Sequence, residues 1–250
     1  MSDILITGSS GFIGSHLKRA LPDAVGLDRV SANTTEIVQD VCTVNIGFGV
    51  DTIFHLAAIT DYDEYMSNPD KTIRENLFGA VNLLKQFPDA RFIFASTTGV
   101  PTNNWSNPYI SSKAYAEQAI KLLSNNYVIL RFQNIYGLGG HGVIPKWLNS
   151  GKIIIYGNGE QLRDFTYIDD LISHLTDLKC GECETHCIGT GKLTTINELY
   201  NIYSRITGKK DMVYHKSREC DPPLPGDTAD IICHTALEDG IKHMVSKKQP

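Results

Sequence analysis

The segment Gly8-Ser9-Ser10-Gly11-Phe12-Ile13-Gly14 follows directly on the apolar run Ile4-Leu5-Ile6. Few folds use a strand that ends in such a loop and passes straight into a helix. Glycine permits the tight turn and lets backbone N–H groups approach a pyrophosphate, and the helix N-terminus adds a favourable field for the anion. A second apolar run ends at Asp28, about 20 residues further on, where a carboxylate accepts hydrogen bonds from the adenosine ribose. The same carboxylate repels the extra phosphate of NADP, so NAD is the expected cofactor. Arg29, next in the chain, is the residue that would tolerate that phosphate instead.

The rest of the chain repeats the strand–helix rhythm. Strands are expected at Asp3–Thr7, Ala24–Asp28, Glu36–Gln39, Thr52–Leu56, Arg91–Ser96 and Tyr127–Arg131. Several are continuous apolar runs, as in strands covered on both faces. Helices are expected near Phe12–Ala20, Pro69–Phe87 and Pro108–Ser124. Asn68 and Asn107 each precede a proline, the pattern of an N-cap followed by Pro at the first helical position, and Thr195 with Glu198 reads as a capping box. This alternation predicts an α/β fold with a doubly wound parallel sheet, a Rossmann fold. After about residue 133 the rhythm breaks, with glycines at 137, 139, 140 and 142 and the irregular stretch Asp221–Gly226. The expected division is a dinucleotide-binding domain from residues 1–133 and 165–190, and a small substrate-binding lobe from 134–164 and 191–250.

Composition narrows the function. The 250 residues carry a formal net charge of −5, with no long run of one sign, so nucleic acid is excluded as a partner. No apolar run approaches membrane-spanning length and the N-terminus lacks a secretory pattern, so a cytoplasmic protein is expected. The six cysteines are irregularly spaced and do not form a secreted disulfide framework. Cys180 and Cys183 with His186 and Cys187 are metal-ligand types, but no second CxxC accompanies them. A turn and a strand are expected there, and no metal is assigned.

Two further sites carry chemistry. Tyr109 and Lys113 stand four apart in an expected helix, hence on one face. A nearby ammonium favours phenolate over phenol, so Lys113 is expected to lower the Tyr109 pKa towards neutrality. Ser96 and Thr97 end the fifth strand, and ligands of open α/β sheets bind beyond the carboxyl ends of strands. A hydroxyl there can hold a substrate alcohol against Tyr109.

With these residues in place, the chain resembles the extended short-chain dehydrogenase/reductase family, in its NAD-dependent nucleotide-sugar epimerase/dehydratase branch. The resemblance runs through nearly the whole chain: Gly8, Gly11 and Gly14; Asp28; Asp40-Val41; His55-Leu56-Ala57-Ala58; Asn76 and Gly79; Tyr109 and Lys113; Leu130–Gly137; Tyr156–Gly159; and Arg163-Asp164-Phe165. It implies that Thr97 is the hydroxyl catalyst, Tyr109 the acid/base and Lys113 the ribose clamp. Cofactor contacts are implied for Gly8, Gly11, Phe12, Ile13, Gly14, Asp28, Asp40, Val41, Leu56, Ala57, Ala58, Asn76, Tyr109 and Lys113. Asn134, Tyr156 and Arg163 are implied to hold a nucleotide sugar, Arg163 through its diphosphate. Relatives often pair through the helices at Pro69–Phe87 and Pro108–Ser124, so a homodimer is implied by analogy.

The departures bear on activity. Thr97 is followed by Thr98 and Gly99, where similar dehydratases carry an acidic pair and similar decarboxylases a glutamate. Both activities are therefore disfavoured. Pro101-Thr102 replaces Tyr-Gly, and the loop from Thr98 to Pro108 is trimmed. Leu224 stands where an arginine often holds the diphosphate, leaving Arg218 as a substitute. Trp105 and Trp147 are read as packing or pocket walls, and His141 as a loop residue facing solvent or substrate. The expected activity is an NAD-dependent nucleotide-sugar 4-epimerase. A 4-keto-sugar nucleotide reductase and a non-catalytic NAD-binding module are the alternatives.

Overall fold

The computed structural model describes residues 3–221 and 224–248. Pro222 and Pro223, within the irregular stretch expected from the sequence, lie outside the described residues. The chain begins β1 (Ile4–Thr7), α1 (Phe12–Ala20), β2 (Val25–Asp28), β3 (Ile37–Val38), β4 (Thr52–His55), α2 (Tyr62–Ser67), α3 (Pro69–Gln86), β5 (Arg91–Thr97), α4 (Pro108–Leu123) and β6 (Tyr127–Phe132). It continues β7 (Asn134–Tyr136), α5 (Val143–Ser150), β8 (Ile153–Tyr156), β9 (Leu162–Tyr167), α6 (Ile168–Thr176), β10 (Glu184–Gly189), β11 (Leu193–Thr195), α7 (Ile196–Thr207), β12 (Met212–His215), β13 (Ile231–Ile232) and α8 (Leu237–Lys248).

Eight strands form one sheet in the order β13-β10-β6-β5-β4-β1-β2-β3. Every pairing in it is parallel. The apolar strand runs explain why: Leu5, Ile6, Ile53, Phe92, Phe94, Ile129 and Leu130 are fully buried, and a parallel sheet covered on both faces needs such strands. The strand order reverses beside β1, so a crevice opens at the carboxyl ends of β1 and β4. Two clusters fill the two faces, one including Leu5, Phe92 and Ala116, the other Ile6, Leu130 and Trp147.

The later segments make a three-stranded sheet, β11-β9-β7, and a parallel pair, β12-β8. Their side chains join the core of the main sheet: Trp147, Ile153, Ile155 and Tyr203 cluster with Ile6 and Phe54. Residues 231–232, placed with the small lobe by the sequence, form β13 at the edge of the main sheet beside β10.

Helix starts follow the sequence with one correction. Asn107 accepts a hydrogen bond from the Ile110 N–H, and Thr195 with Glu198 forms the capping box. Asn68 makes no side-chain cap, because it also closes a helix the sequence did not suggest, α2, and adopts φ −133°, ψ 62° at that junction. The α2 start is instead capped by Asp61, which accepts from the N–H groups of Asp63 and Glu64. Among the described residues, no helix is long and apolar enough to cross a membrane.

Candidate active site

A cleft of about 960 Å³ opens at the carboxyl ends of the main-sheet strands. Its floor is the glycine loop. Gly8 takes φ +71°, a conformation glycine adopts without cost, and its N–H donates to the Leu27 carbonyl of β2 at 2.8 Å. A Cβ on Gly14 would collide with the Gly8 carbonyl oxygen, so only glycine lets α1 start this close to β1. Gly11 caps α1 without a side chain, and no acid stands in the first turn. The first-turn N–H groups therefore have no side-chain cap, as an anion site at a helix N-terminus requires.

Asp28 ends β2 at the cleft edge, accepting from the N–H of Ser10 and of Val30, each at 3.0 Å. These bonds tie the glycine loop to the end of β2 and fix the carboxylate. Arg29 lines the same cleft but is ion-paired with Glu75, 2.7 Å distant, and that bond raises its pKa further. Its charge is already matched, so it does not offer a free phosphate partner. The loop, the uncapped helix start and the fixed carboxylate together fit a dinucleotide carrying a free adenosine 2′-hydroxyl.

Phe12, Ile13, Val41, Leu56, Ala57 and Ala58 line the same cleft. Asp40 does not. It faces a separate depression with Arg74 and Glu75, and its carboxylate accepts from the Cys42 N–H at 2.8 Å. Asn76 reaches the cleft wall, but its amide is engaged by Ile59 N–H, Ile59 carbonyl and Ser112 hydroxyl. It braces α3, α4 and the loop after β4 rather than presenting a free donor.

Thr97, Tyr109 and Lys113 converge at the end of β5. Asn107 and Pro108 start α4 so that Tyr109 lies in its first turn, and Lys113 follows one turn later. Thr97 and Tyr109 both line the cleft here, and the threonine hydroxyl favours the Tyr109 phenolate. The expected downward shift of Tyr109 is reversed in the polypeptide. Burial and the neighbouring Tyr65 raise the phenol, and the Thr97 side chain only partly offsets them. Lys113 does not counter this, because burial lowers its own pKa to about 7 and its Nζ donates to the Ala95 carbonyl at 2.7 Å. Its Nζ also sits 4.6 Å from the Phe94 ring centre.

The other arm of the cleft carries Asn134, Tyr156, Arg163 and Arg218. Strand alternation in β9 aims Arg163 into the cleft and buries Asp164, whose carboxylate holds the turn at Thr190 and Gly191. Arg163 forms an ion pair with Asp221 at 2.6 Å. Arg218 lies between the rings of Tyr62 and Tyr156, 4.6 and 4.1 Å from their centres. The trimmed loop is braced by the same segment: Asn104 donates to the Cys220 carbonyl and Gly226 to the Thr98 carbonyl. Leu224 is exposed. His141 lines the cleft and is exposed; Trp147 is buried packing, and Trp105 is exposed outside the cleft.

Sequence reasoning missed Tyr65, Glu75 and Asp221. Tyr65 stacks on Tyr109 with ring centres 5.8 Å apart. It belongs to the unforeseen α2, and an aromatic residue in a short polar stretch gave no pattern to find it by. Glu75 and Asp221 are ordinary acids in sequence and acquire meaning only through their arginine partners.

The parallel sheet, the glycine loop and the Tyr/Lys helix define a Rossmann-type dinucleotide-binding enzyme. The profile of the NAD dependent epimerase/dehydratase family matches residues 4–176, and the chain belongs to that family, an enzyme group of the extended short-chain dehydrogenase/reductase type. It is 32% identical over 264 residues to a Methanocaldococcus jannaschii protein provisionally named UDP-glucose 4-epimerase, with 86% of each chain covered. Among solved structures it resembles the UDP-glucose 4-epimerase of Thermotoga maritima with UDP-glucose, at TM-score 0.82 and 25% identity, covering 97% of both chains. It also resembles MoeE5 in complex with UDP-glucuronic acid and NAD, at TM-score 0.87 and 25% identity, covering 99% of this chain and 100% of the other.

Proposed function

We propose that the protein is an NAD-dependent nucleotide-sugar 4-epimerase. The observation that carries this reading is the convergence of Thr97, Tyr109 and Lys113 in one cleft with the cationic arm of Arg163 and Arg218. The names of the Methanocaldococcus and Thermotoga relatives support it.

NAD would be held by Gly8, Gly11, Phe12, Ile13 and Gly14 at its pyrophosphate, by Asp28 at its adenosine ribose, and by Lys113 at its other ribose. When bound, NAD supplies the acceptor and then the donor of a hydride. The chain's own residues move the proton. Thr97 and Tyr109 would hold the sugar 4-hydroxyl between two oxygens, and Tyr109, as the phenolate that the positive nicotinamide of bound NAD⁺ would favour against the burial that raises it, would take that proton as the alcohol becomes a ketone. The 4-keto sugar turns over in the cleft, and Tyr109 returns the proton as the opposite face is reduced. Arg163 retains the diphosphate while the sugar rotates, and Asn134, Tyr156 and Arg218 line the same arm.

Dehydration needs a second acid/base pair beside Thr97. The next residues are Thr98, whose hydroxyl is committed to Gln133, and Gly99. Glu117 is close in space through Ser96, but it is committed to Ser96 and Arg131. The test is incubation with UDP-, dTDP- and GDP-sugars. A 4-epimer of unchanged mass is the expected product, and a product lighter by one water contradicts the reading.

A further inference from the structure

At the end of the sheet opposite the cleft, the structure brings together Cys180 Sγ, a Glu184 carboxylate oxygen and a His186 ring nitrogen, all within 4.8 Å of one another. Glu184 opens β10 opposite Val128 in β6, six residues before Asn134, a distance of about 20 Å along a strand. The group is therefore remote from Tyr109 and plays no part in the proposed reaction. Nor is it the set that the CxxC spacing suggests. Cys183 turns to the Asn125 carbonyl, and Cys187 is buried against Gln133.

We propose that Cys180, Glu184 and His186 form a binding site for a borderline-soft divalent cation of the zinc type, with Asp230 orienting the histidine. The proposal departs from the expectation of no metal drawn from the sequence. Three features carry it. The donor set of thiolate, imidazole and carboxylate suits zinc and not calcium or magnesium, which take oxygen ligands. His186 Nδ1 lies 2.8 Å from Asp230 Oδ2, and Asp230 Oδ1 is itself fixed by the Cys187 N–H. A carboxylate behind a histidine is the usual device for aiming the other ring nitrogen at a metal. The Glu184 Oε2 also accepts from the Gly181 N–H, which folds the short loop between Cys180 and Glu184 into register.

Around zinc, such ligand atoms stand roughly 3.5 Å apart. His186 Nε2 and Glu184 Oε2 are 2.8 Å apart, sharing a proton. The metal takes the place of that proton: Nε2–H and Cys180 S–H release two protons to solvent, and metal–nitrogen, metal–sulfur and metal–oxygen bonds form. No electron is transferred. Water completes the fourth position. Arg91 keeps the loop in place by donating to the Cys180 carbonyl at 2.6 Å. The cation would tie the loop after α6 to the start of β10.

The test uses the full chain, purified without a metal-binding tag, stripped with chelator and titrated with Co²⁺. One equivalent is expected to bind with thiolate-to-cobalt absorbance in the near ultraviolet, and Zn²⁺ is expected to displace it. Cys180→Ser should abolish the absorbance with the circular dichroism unchanged, whereas Cys183→Ser should keep it. Glu184→Gln gives a second route, weakening Co²⁺ without touching the thiol, and Asp230→Asn should weaken it about tenfold or more. No thiolate–cobalt absorbance in the wild type, or absorbance that persists in Cys180→Ser, overturns the proposal.

Discussion

The Lys113 amine stands over the ring of Tyr109, 5.9 Å from its centre, yet gives its short hydrogen bond to the Ala95 carbonyl. Lys113 is almost completely buried, and burial lowers its pKa to about 7, only partly countered by Glu117. The consequence for stability has a definite sign. Below about pH 7 the lysine is protonated in both folded and unfolded chains and contributes no slope. Between about 7 and its ordinary value of 10.5 the unfolded chain binds a proton that the folded chain does not, so stability rises with pH. Denaturant titrations of wild type and Lys113→Met at pH 7 and about 8.5 check this, the cysteines that also titrate in that interval being common to both proteins. Wild type should gain more stability than the variant over that interval. Equal changes would show that the amine is not held neutral.

Arg29 and Glu75 set the cofactor preference together with Asp28. Their 2.7 Å ion pair keeps Arg29, next in the chain after Asp28, from receiving a phosphate. Glu75→Gln frees it. The NADP affinity of this variant should rise relative to NAD by about two- to fivefold, the range of a half-exposed ion pair. Titration of both nucleotides against both proteins is the check, and an unchanged ratio would leave Asp28 as the sole determinant.

The fold and half of the site were legible because they rest on local rules. Gly8, Gly11 and Gly14 mark backbone that only glycine can follow, and the apolar runs at Leu5, Phe92 and Ile129 state their own burial. Thr97, Tyr109 and Lys113 were found because a strand end and a helical spacing of four are one-dimensional signals. What stayed hidden depends on distant partners. Nothing in the sequence says that Asp40 turns out of the cleft to cap Cys42, or that Arg163 meets Asp221, 58 residues away. The direction of the Tyr109 shift was hidden for the same reason. Spacing put a lysine beside it, but burial decides which charge the lysine carries.

Arg163 and Asp221 bear on substrate affinity in opposite directions. Arg163→Ala should weaken binding of UDP or a UDP-sugar about tenfold or more, as loss of a charge-assisted hydrogen bond does. Asp221→Asn removes a competing anion and should tighten the same ligand several-fold. NAD affinity should be unchanged in both. Calorimetric titration separates the outcomes, and a weaker Asp221→Asn variant would mean that Asp221 holds the ligand rather than competing with it.

The central claim is that the Tyr109 hydroxyl carries the proton. Tyr109→Phe keeps the ring, its stacking on Tyr65 and the glycine loop, and removes only the phenolic oxygen. Turnover on a verified nucleotide sugar and NAD affinity should be measured together on wild type and this variant. The account expects turnover to fall at least about a hundredfold, with NAD affinity unchanged. Near wild-type turnover in Tyr109→Phe would contradict it.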